Sequence, residues 1–198
     1  MTTTIGMLLF TDAEELDFVG PWEVFTMAAQ LRDDVQVVTL AERAEPVRCA
    51  KGMRVIPDHA LADAPALDVV LVPGGQGTRR EVENPVVIDW LKQIAPGLRW
   101  VTSVCTGSLL LCEAGLARGR RVTTHWAFIE TLRKRYPDVE VLEQVRYVRD
   151  ERLCTAAGVS AGIDMALWLT GQLWGVETAR KTQRFMQYDP APPYTAEV

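Results

Sequence analysis

Thr102-Ser103-Val104-Cys105-Thr106-Gly107 places a thiol between two apolar runs, where chemistry is easiest to build. Upstream, Leu98-Arg99-Trp100-Val101 reads as a buried strand. Downstream, Ser108-Leu109-Leu110-Leu111-Cys112-Glu113-Ala114 reads as the first turns of a helix ended by Gly115. A cysteine at a strand-to-helix turn meets free backbone N–H groups and the positive end of the helix dipole, and both favour its thiolate. In such surroundings a thiol pKa near ~8.5 falls to roughly 3.5–7.5. Ser103, Thr106 and Gly107 are small enough for the sharp bend of a nucleophile elbow. The competing reading is a buried small hydrophobe, the commonest fate of a free cysteine.

Other segments offer partners for that thiol. Asp17 stands among apolar residues in Glu15-Leu16-Asp17-Phe18-Val19-Gly20-Pro21. It reads either as the cap of a helix beginning near Pro21 or as a carboxyl desolvated by Leu16, Phe18 and Trp22. In the second case its pKa rises and it can hold a proton for the thiolate or a substrate. Glu14 and Glu15 read as solvated. His125, in Thr123-Thr124-His125-Trp126, is the candidate for a Cys–His pair, with a structural role as the alternative. His59 reads as a surface turn residue. Gly74-Gly75-Gln76-Gly77-Thr78 lacks the Lys and Ser/Thr of a phosphate loop. Its glycines, Gly75 and Gly77 among them, could let backbone N–H groups approach a developing anion, or simply form a tight turn. Val159-Ser160-Ala161-Gly162-Ile163-Asp164 reads as a helix start with Ser160 as N-cap and Asp164 complementing the dipole. The loop ending at Val159 could still reach the thiol. Trp22, Trp126 and Phe128 read as packing residues.

These residues need elements to hold them. Strands are expected over residues 4–10, 35–40, 52–57 and 68–73, then in the run that delivers Cys105. Helices are expected from Pro21, over residues 85–94 and after the elbow. The continuous apolar run Asp68-Val69-Val70-Leu71-Val72-Pro73 marks a strand buried on both faces. Later come a short extended piece at residues 122–124 and an amphipathic helix over 126–135 with Trp126 and Ile129 on one side. A hairpin around Arg149-Asp150-Glu151-Arg152, an apolar helix over 162–174 and a polar helix over 177–188 complete the order. Ordered structure is expected to end at residues 189–194. This alternation predicts an α/β fold, a doubly wound, mostly parallel sheet with helices on both faces. Active sites in such folds gather beyond the carboxyl ends of the strands, at a topological switch point. The loops carrying Asp17, Gly74–Gly77 and Cys105 all follow strand ends.

A chain of 198 residues suits one domain with one core, and 48% hydrophobic with 24% charged residues is globular composition. A net charge of -5 argues against a nucleic-acid partner. The basic run Arg118-Gly119-Arg120-Arg121 reads as a solvated turn. No signal peptide or membrane span is legible, so the cytoplasm is the expected location. Cysteines 49, 105, 112 and 154 lack metal-ligand spacing and are expected as free thiols, with Cys112 in helix core, Cys154 in a strand and Cys49 in a polar loop.

The elbow at 102–107, Val72-Pro73-Gly74-Gly75 and Thr123-Thr124-His125-Trp126 resemble the ThiJ/PfpI family, related to class I glutamine amidotransferases. Leu16-Asp17-Phe18-Val19-Gly20-Pro21, Gly162-Ile163-Asp164 and the tail Tyr188-Asp189-Pro190-Ala191-Pro192-Pro193 are similar to its isonitrile hydratase branch. The likeness spans essentially the whole chain, in order. It implies a flavodoxin-like fold, a homodimer, a small-molecule substrate, and a reaction without cofactor or metal. By position it implies Cys105 as nucleophile, Asp17 as its acidic partner, Thr106 as the adjacent catalytic residue and Gly75 as a backbone donor. His125 matches the histidine that follows the elbow in the wider family. Other activities of similar domains are a cysteine-based redox or ligand sensor and a glyoxalase- or amidase-like hydrolase. A regulator would need an appended DNA-binding segment, for which this chain is expected to leave no room.

Overall fold

The computed structural model describes residues 2–189. Eleven strands and seven helices alternate along it. Strand β1 (Thr3–Leu8) leads to α1 (Glu15–Gln30), β2 (Val35–Ala41), β3 (Val47–Arg48), β4 (Arg54–Val55) and β5 (His59–Ala60). Then come β6 (Val69–Val72), α2 (Thr78–Glu81), α3 (Pro85–Ile94), β7 (Trp100–Val104) and α4 (Ser108–Glu113). The chain continues through β8 (Arg121–Val122), α5 (Ile129–Arg135), β9 (Glu140–Val141), β10 (Tyr147–Asp150), β11 (Leu153–Ala156), α6 (Ala161–Trp174) and α7 (Val176–Phe185).

Seven strands form the central sheet in the order β10-β11-β7-β6-β1-β2-β5. All its pairings are parallel except the β10–β11 hairpin, in which Tyr147 faces Ala156 and Asp150 faces Leu153. Helices α1, α6 and α7 pack against one another, and α2, α3 and α4 form a second group. The fold is therefore the flavodoxin-like, mostly parallel sandwich that the alternation of elements predicts. Val69, Val70, Leu71 and Val72 are fully buried, as a strand covered on both faces requires. The order reverses between β1 and β6: β2 lies to one side of β1 and β7 beyond β6. That switch point opens a crevice above the carboxyl ends of β1, β6 and β7.

Several local expectations are corrected. The first helix starts at Glu15, six residues before Pro21, so the proline lies inside it. Proline withholds an N–H that the carbonyl four residues back would otherwise receive. The helix tolerates this because Phe18, Val24 and Phe25 anchor it in the core. Asp17 consequently sits within the first turn rather than capping a later helix. The expected strand over 52–57 shrinks to β4, which pairs with β3 in a separate two-stranded sheet. The edge of the main sheet is β5, so His59 is a half-buried strand residue and not a turn residue. Cys49 lies in the loop between β3 and β4, as expected, but is fully buried there. Trp126 is 81% exposed, outside any amphipathic face. Ser160 makes no capping bond; its hydroxyl accepts from Arg146, and Asp164 is held by Arg146 and Tyr188. The basic turn is paired with acids, Arg118 with Asp138, Arg120 with Glu151 and Arg121 with Asp150, which leaves no phosphate site there. The expected end of ordered structure falls, apart from Asp189, outside the described residues. Among the described residues no helix is long and apolar enough to cross a membrane.

Candidate active site

Strand β7 ends at Val104, and the chain turns at once through a tight helical turn, Cys105–Gly107, into α4. Cys105 itself has φ +55°, a left-handed conformation that side chains rarely adopt. Its N–H donates to the Ala157 carbonyl at 2.8 Å, and its carbonyl accepts from the Thr124 and Ser108 hydroxyls. These bonds hold the strain in place. Gly107 permits the close approach, because a Cβ there would lie 2.1 Å from the Val72 carbonyl oxygen. The bend predicted from small neighbours is thus present as a tight strand-to-helix elbow.

Asp17 reaches this elbow from α1. It is completely buried; its Oδ2 accepts the Gly74 N–H at 2.8 Å, and its Oδ1 has no conventional hydrogen-bond donor. The Cys105 thiol faces this carboxyl closely enough that each group shifts the other's ionisation. Burial pushes the Asp17 carboxyl up to about 7; the Gly74 N–H opposes this and the charge of Glu14 adds to it. Burial also pushes the Cys105 thiol up, to about 12, and the Asp17 charge reinforces the rise. The N–H and hydroxyl of Thr106 lower it only in part.

Burial and the Asp17 charge thus favour the thiol over the thiolate that the turn geometry alone would favour. Two reasons are visible. Helix α4 is only six residues long, and the nearby loop N–H groups are already engaged by Asp17 and Thr106. The carboxyl and thiol are coupled, so their protons belong to the pair rather than to either group alone.

The loop after β6 forms the opposite wall. Gly75 has φ +115°, and a Cβ on it would lie 2.3 Å from the Asp12 carbonyl, so glycine is required. Its N–H donates to the Thr106 hydroxyl at 3.1 Å. Thr78 donates to the Gly75 carbonyl at 2.8 Å, and its oxygen lies 3.1 Å from the Thr106 hydroxyl. Gly75 therefore lines the site, yet its donor is committed to Thr106. Gly77 does not line the site at all, and its N–H donates to the Asp12 carbonyl at 3.2 Å. The expected oxyanion role of Gly77 is corrected accordingly: its donor points back into the loop.

A cleft of about 270 Å³ opens over the sulfur, lined among others by Gly75, Gln76, Cys105, Thr106, His125 and Val159. Val159 has φ +48°, unusual for a β-branched residue, and is part of the wall as the sequence reading allowed. His125 also lines the wall, but its Nδ1 accepts from the Ala127 N–H at 3.3 Å and caps the turn that follows. Among the described residues no hydrogen bond joins His125 to Cys105, so the expected Cys–His pair does not form.

Several residues at or beside the cleft escaped the sequence reading. Phe128, expected as packing, stands in the wall with its ring under the Arg79 guanidinium, 4.7 Å from the centroid. Glu14, expected to be solvated, faces the cleft and pairs with Lys51. Glu15 is likewise drawn in, accepting the Lys51 N–H at 2.7 Å. Arg79 lines the cleft two residues after Gly77. The Arg79-Arg80 pair just after a glycine-rich loop was the available signal for it.

A family model, the DJ-1/PfpI family, matches residues 3–172. The chain is 41% identical over 195 residues to isonitrile hydratase of Pseudomonas putida, covering 98% of this chain and 82% of that protein. It is 30% identical over 171 residues to the glutathione-independent glyoxalase DJR-1.2 of Caenorhabditis elegans, covering 84% of this chain and 86% of that one. Among solved structures, a ThiJ/PfpI family protein from Pseudomonas syringae superposes with a TM-score of 0.90 at 30% identity, covering 100% of this chain and 80% of that one. An elbow cysteine and a sheet order of this kind, with matches that run nearly end to end, lead to one conclusion: the chain belongs to the DJ-1/PfpI family.

Proposed function

We propose that this protein adds water to an isonitrile, R–N≡C, to give the N-substituted formamide R–NH–CHO, with Cys105 as nucleophile. The observation that carries this reading is one buried carboxyl facing one buried thiol, in a chain 41% identical to isonitrile hydratase. The terminal isonitrile carbon must gain both a nucleophile and a proton. Near neutrality the Asp17–Cys105 pair holds a single proton between two bases, which matches that demand.

In the first step the sulfur bonds to the terminal carbon while the shared proton passes, through Asp17, to the same carbon. The product is a thioimidate, R–N=CH–S–Cys105, with Asp17 left as carboxylate. Water then adds to the thioimidate carbon. Asp17 takes a proton from that water and passes it to the nitrogen as its double bond is lost, which leaves the adduct R–NH–CH(OH)–S–Cys105. The C–S bond breaks, the formamide departs, and the pair recovers its proton. Thr106 lends its N–H and hydroxyl to the sulfur as negative charge passes through it. Gly75 positions the Thr106 hydroxyl and Val159 closes the far wall, while His125 shapes the rim. The apolar part of the wall suits a small R group, and discrimination by one methylene would be about 1–3 kcal/mol.

The same reading has the protein working in the cytoplasm as a homodimer, with neither metal nor cofactor. Incubation with cyclohexyl isonitrile tests the reaction: the formamide should accumulate, and Cys105→Ala should abolish it. Turnover of methylglyoxal with no formamide from any isonitrile would replace this reading with a glyoxalase-like one. Inertness toward both, with selective peroxide oxidation of Cys105, would make the protein a thiol sensor.

A further inference from the structure

We propose that Arg79 is the specificity-determining residue of this cleft, a cationic subsite selecting isonitriles that carry a carboxylate within a few bonds of the reacting carbon. The inference rests on the hydration reading and names its substrate class.

Arg79 stands on the second residue of α2 and lays its guanidinium on the Phe128 ring, 4.7 Å from the centroid. Its Nη1 makes every hydrogen bond recorded for the group. The partners are the Gly75 carbonyl at 3.0 Å, the Thr78 hydroxyl at 3.1 Å and the Thr106 hydroxyl at 3.4 Å. Among the described residues no bond engages Nε or Nη2, and no carboxylate pairs with the group. Arg80 next to it behaves differently: it pairs with Glu81 at 3.0 Å and donates to the Thr11 carbonyl at 2.7 Å. Both arginines are exposed, but Arg80 is engaged by Glu81 and Thr11, whereas Arg79 lines the cleft with Nε and Nη2 unbonded among the described residues.

Fixing the head group by one nitrogen and one ring removes much of its freedom in advance and leaves a fork for a planar anion. Because Nη1 touches Thr106, which adjoins Cys105, an anion on this fork would sit close to the carbon on the sulfur. Arg79 is the one arginine or lysine side chain among the described residues lining the cleft, and Glu14, which also lines it, carries its ion pair with Lys51.

Two measurements on the full-length protein test this. In the first, Cys105 is alkylated by iodoacetate or by iodoacetamide. In each case a C–S bond forms, iodide leaves, and the thiol proton passes to solvent; the two reagents differ by a carboxylate against a neutral amide. The iodoacetate-to-iodoacetamide rate ratio should fall about tenfold in Arg79→Gln and largely persist in Arg79→Lys. It should be unchanged in Arg80→Gln. A ratio that stays constant in Arg79→Gln, even if both rates fall, overturns the subsite. In the second, kcat/KM is compared for isocyanoacetate and cyclohexyl isonitrile. Isocyanoacetate should be preferred, and Arg79→Gln should lose that preference mainly through KM. Cyclohexyl isonitrile turnover without preference for isocyanoacetate overturns this inference and leaves the hydration reading standing. No formamide from either overturns the hydration reading and this substrate class together.

Discussion

Cys105 and Cys154 lie on neighbouring strand paths, β7 running beside β11, and burial pushes both thiols up to about 12. By acidity they are alike. By surroundings they differ completely. Cys154 is fully buried in mid-strand, with no carboxylate among the groups that shift it and with Arg149 and Tyr147 as its ionisable neighbours. Cys105 is 7% exposed, sits in left-handed backbone at a strand end, opens on a cleft, and faces Asp17. What sets the proposed nucleophile apart is its proton partner and its access, because burial raises its pKa as it does that of core sulfur.

That contrast can be broken by removing each sulfur. Cys105→Ala should lower formamide formation by about a thousandfold or more, whereas Cys154→Ala and Cys112→Ala should leave it within a few-fold. A comparable loss in all three would erase the distinction. Asp17→Asn should lower kcat by roughly 10²–10⁴-fold, the usual range for a positioned acid–base group.

The same substitution should act on stability with the opposite sign. A carboxyl at about 7 when folded and 3.8 when unfolded binds more protons in the folded state between those values. Its ionisation therefore destabilises the fold as pH rises through that window, by up to about 4 kcal/mol at alkaline pH. Asp17→Asn should accordingly raise Tm at pH 8 relative to wild type and do little at pH 3. A lower Tm at pH 8 would show that the carboxyl is not carried at such a cost.

The pH dependence sharpens the comparison further. Alkylation of Cys105 should rise through about pH 7 as the pair loses its first proton, and Asp17→Asn should remove that step. Cys154 should show no alkylation at any of these pH values without unfolding. The smallest effect expected is for Phe128→Ala, a several-fold rise in KM as the ring beneath the substrate is lost.

Much of this was legible in the chain. The buried run 69–72 announced its strand because both faces of a parallel strand must be apolar. The small residues flanking Cys105 announced the elbow, because bulk is excluded there by the approach of the Val72 carbonyl. Asp17 stood out as an acid among hydrophobes, and its burial followed. Other features were hidden because they depend on contacts between distant segments. His125 looked like a base for the thiol, yet its Nδ1 serves the Ala127 N–H. Gly77 looked like a donor, yet its N–H turns back to Asp12. Arg79 carries no sign of its ring partner in its own neighbourhood, because Phe128, the ring beneath it, lies 49 positions on.

Local patterning was sufficient to specify the order of strands and helices, the bend that carries the thiol, and the edge of the sheet where chemistry gathers. It does so because periodicity, turn sterics and burial are properties of neighbouring residues. The protonation of that thiol, and the direction in which each donor points, came from folding alone. An ionisation equilibrium responds to every charge, dipole and water molecule within a few ångströms, and those neighbours are brought together by packing rather than by position in the chain.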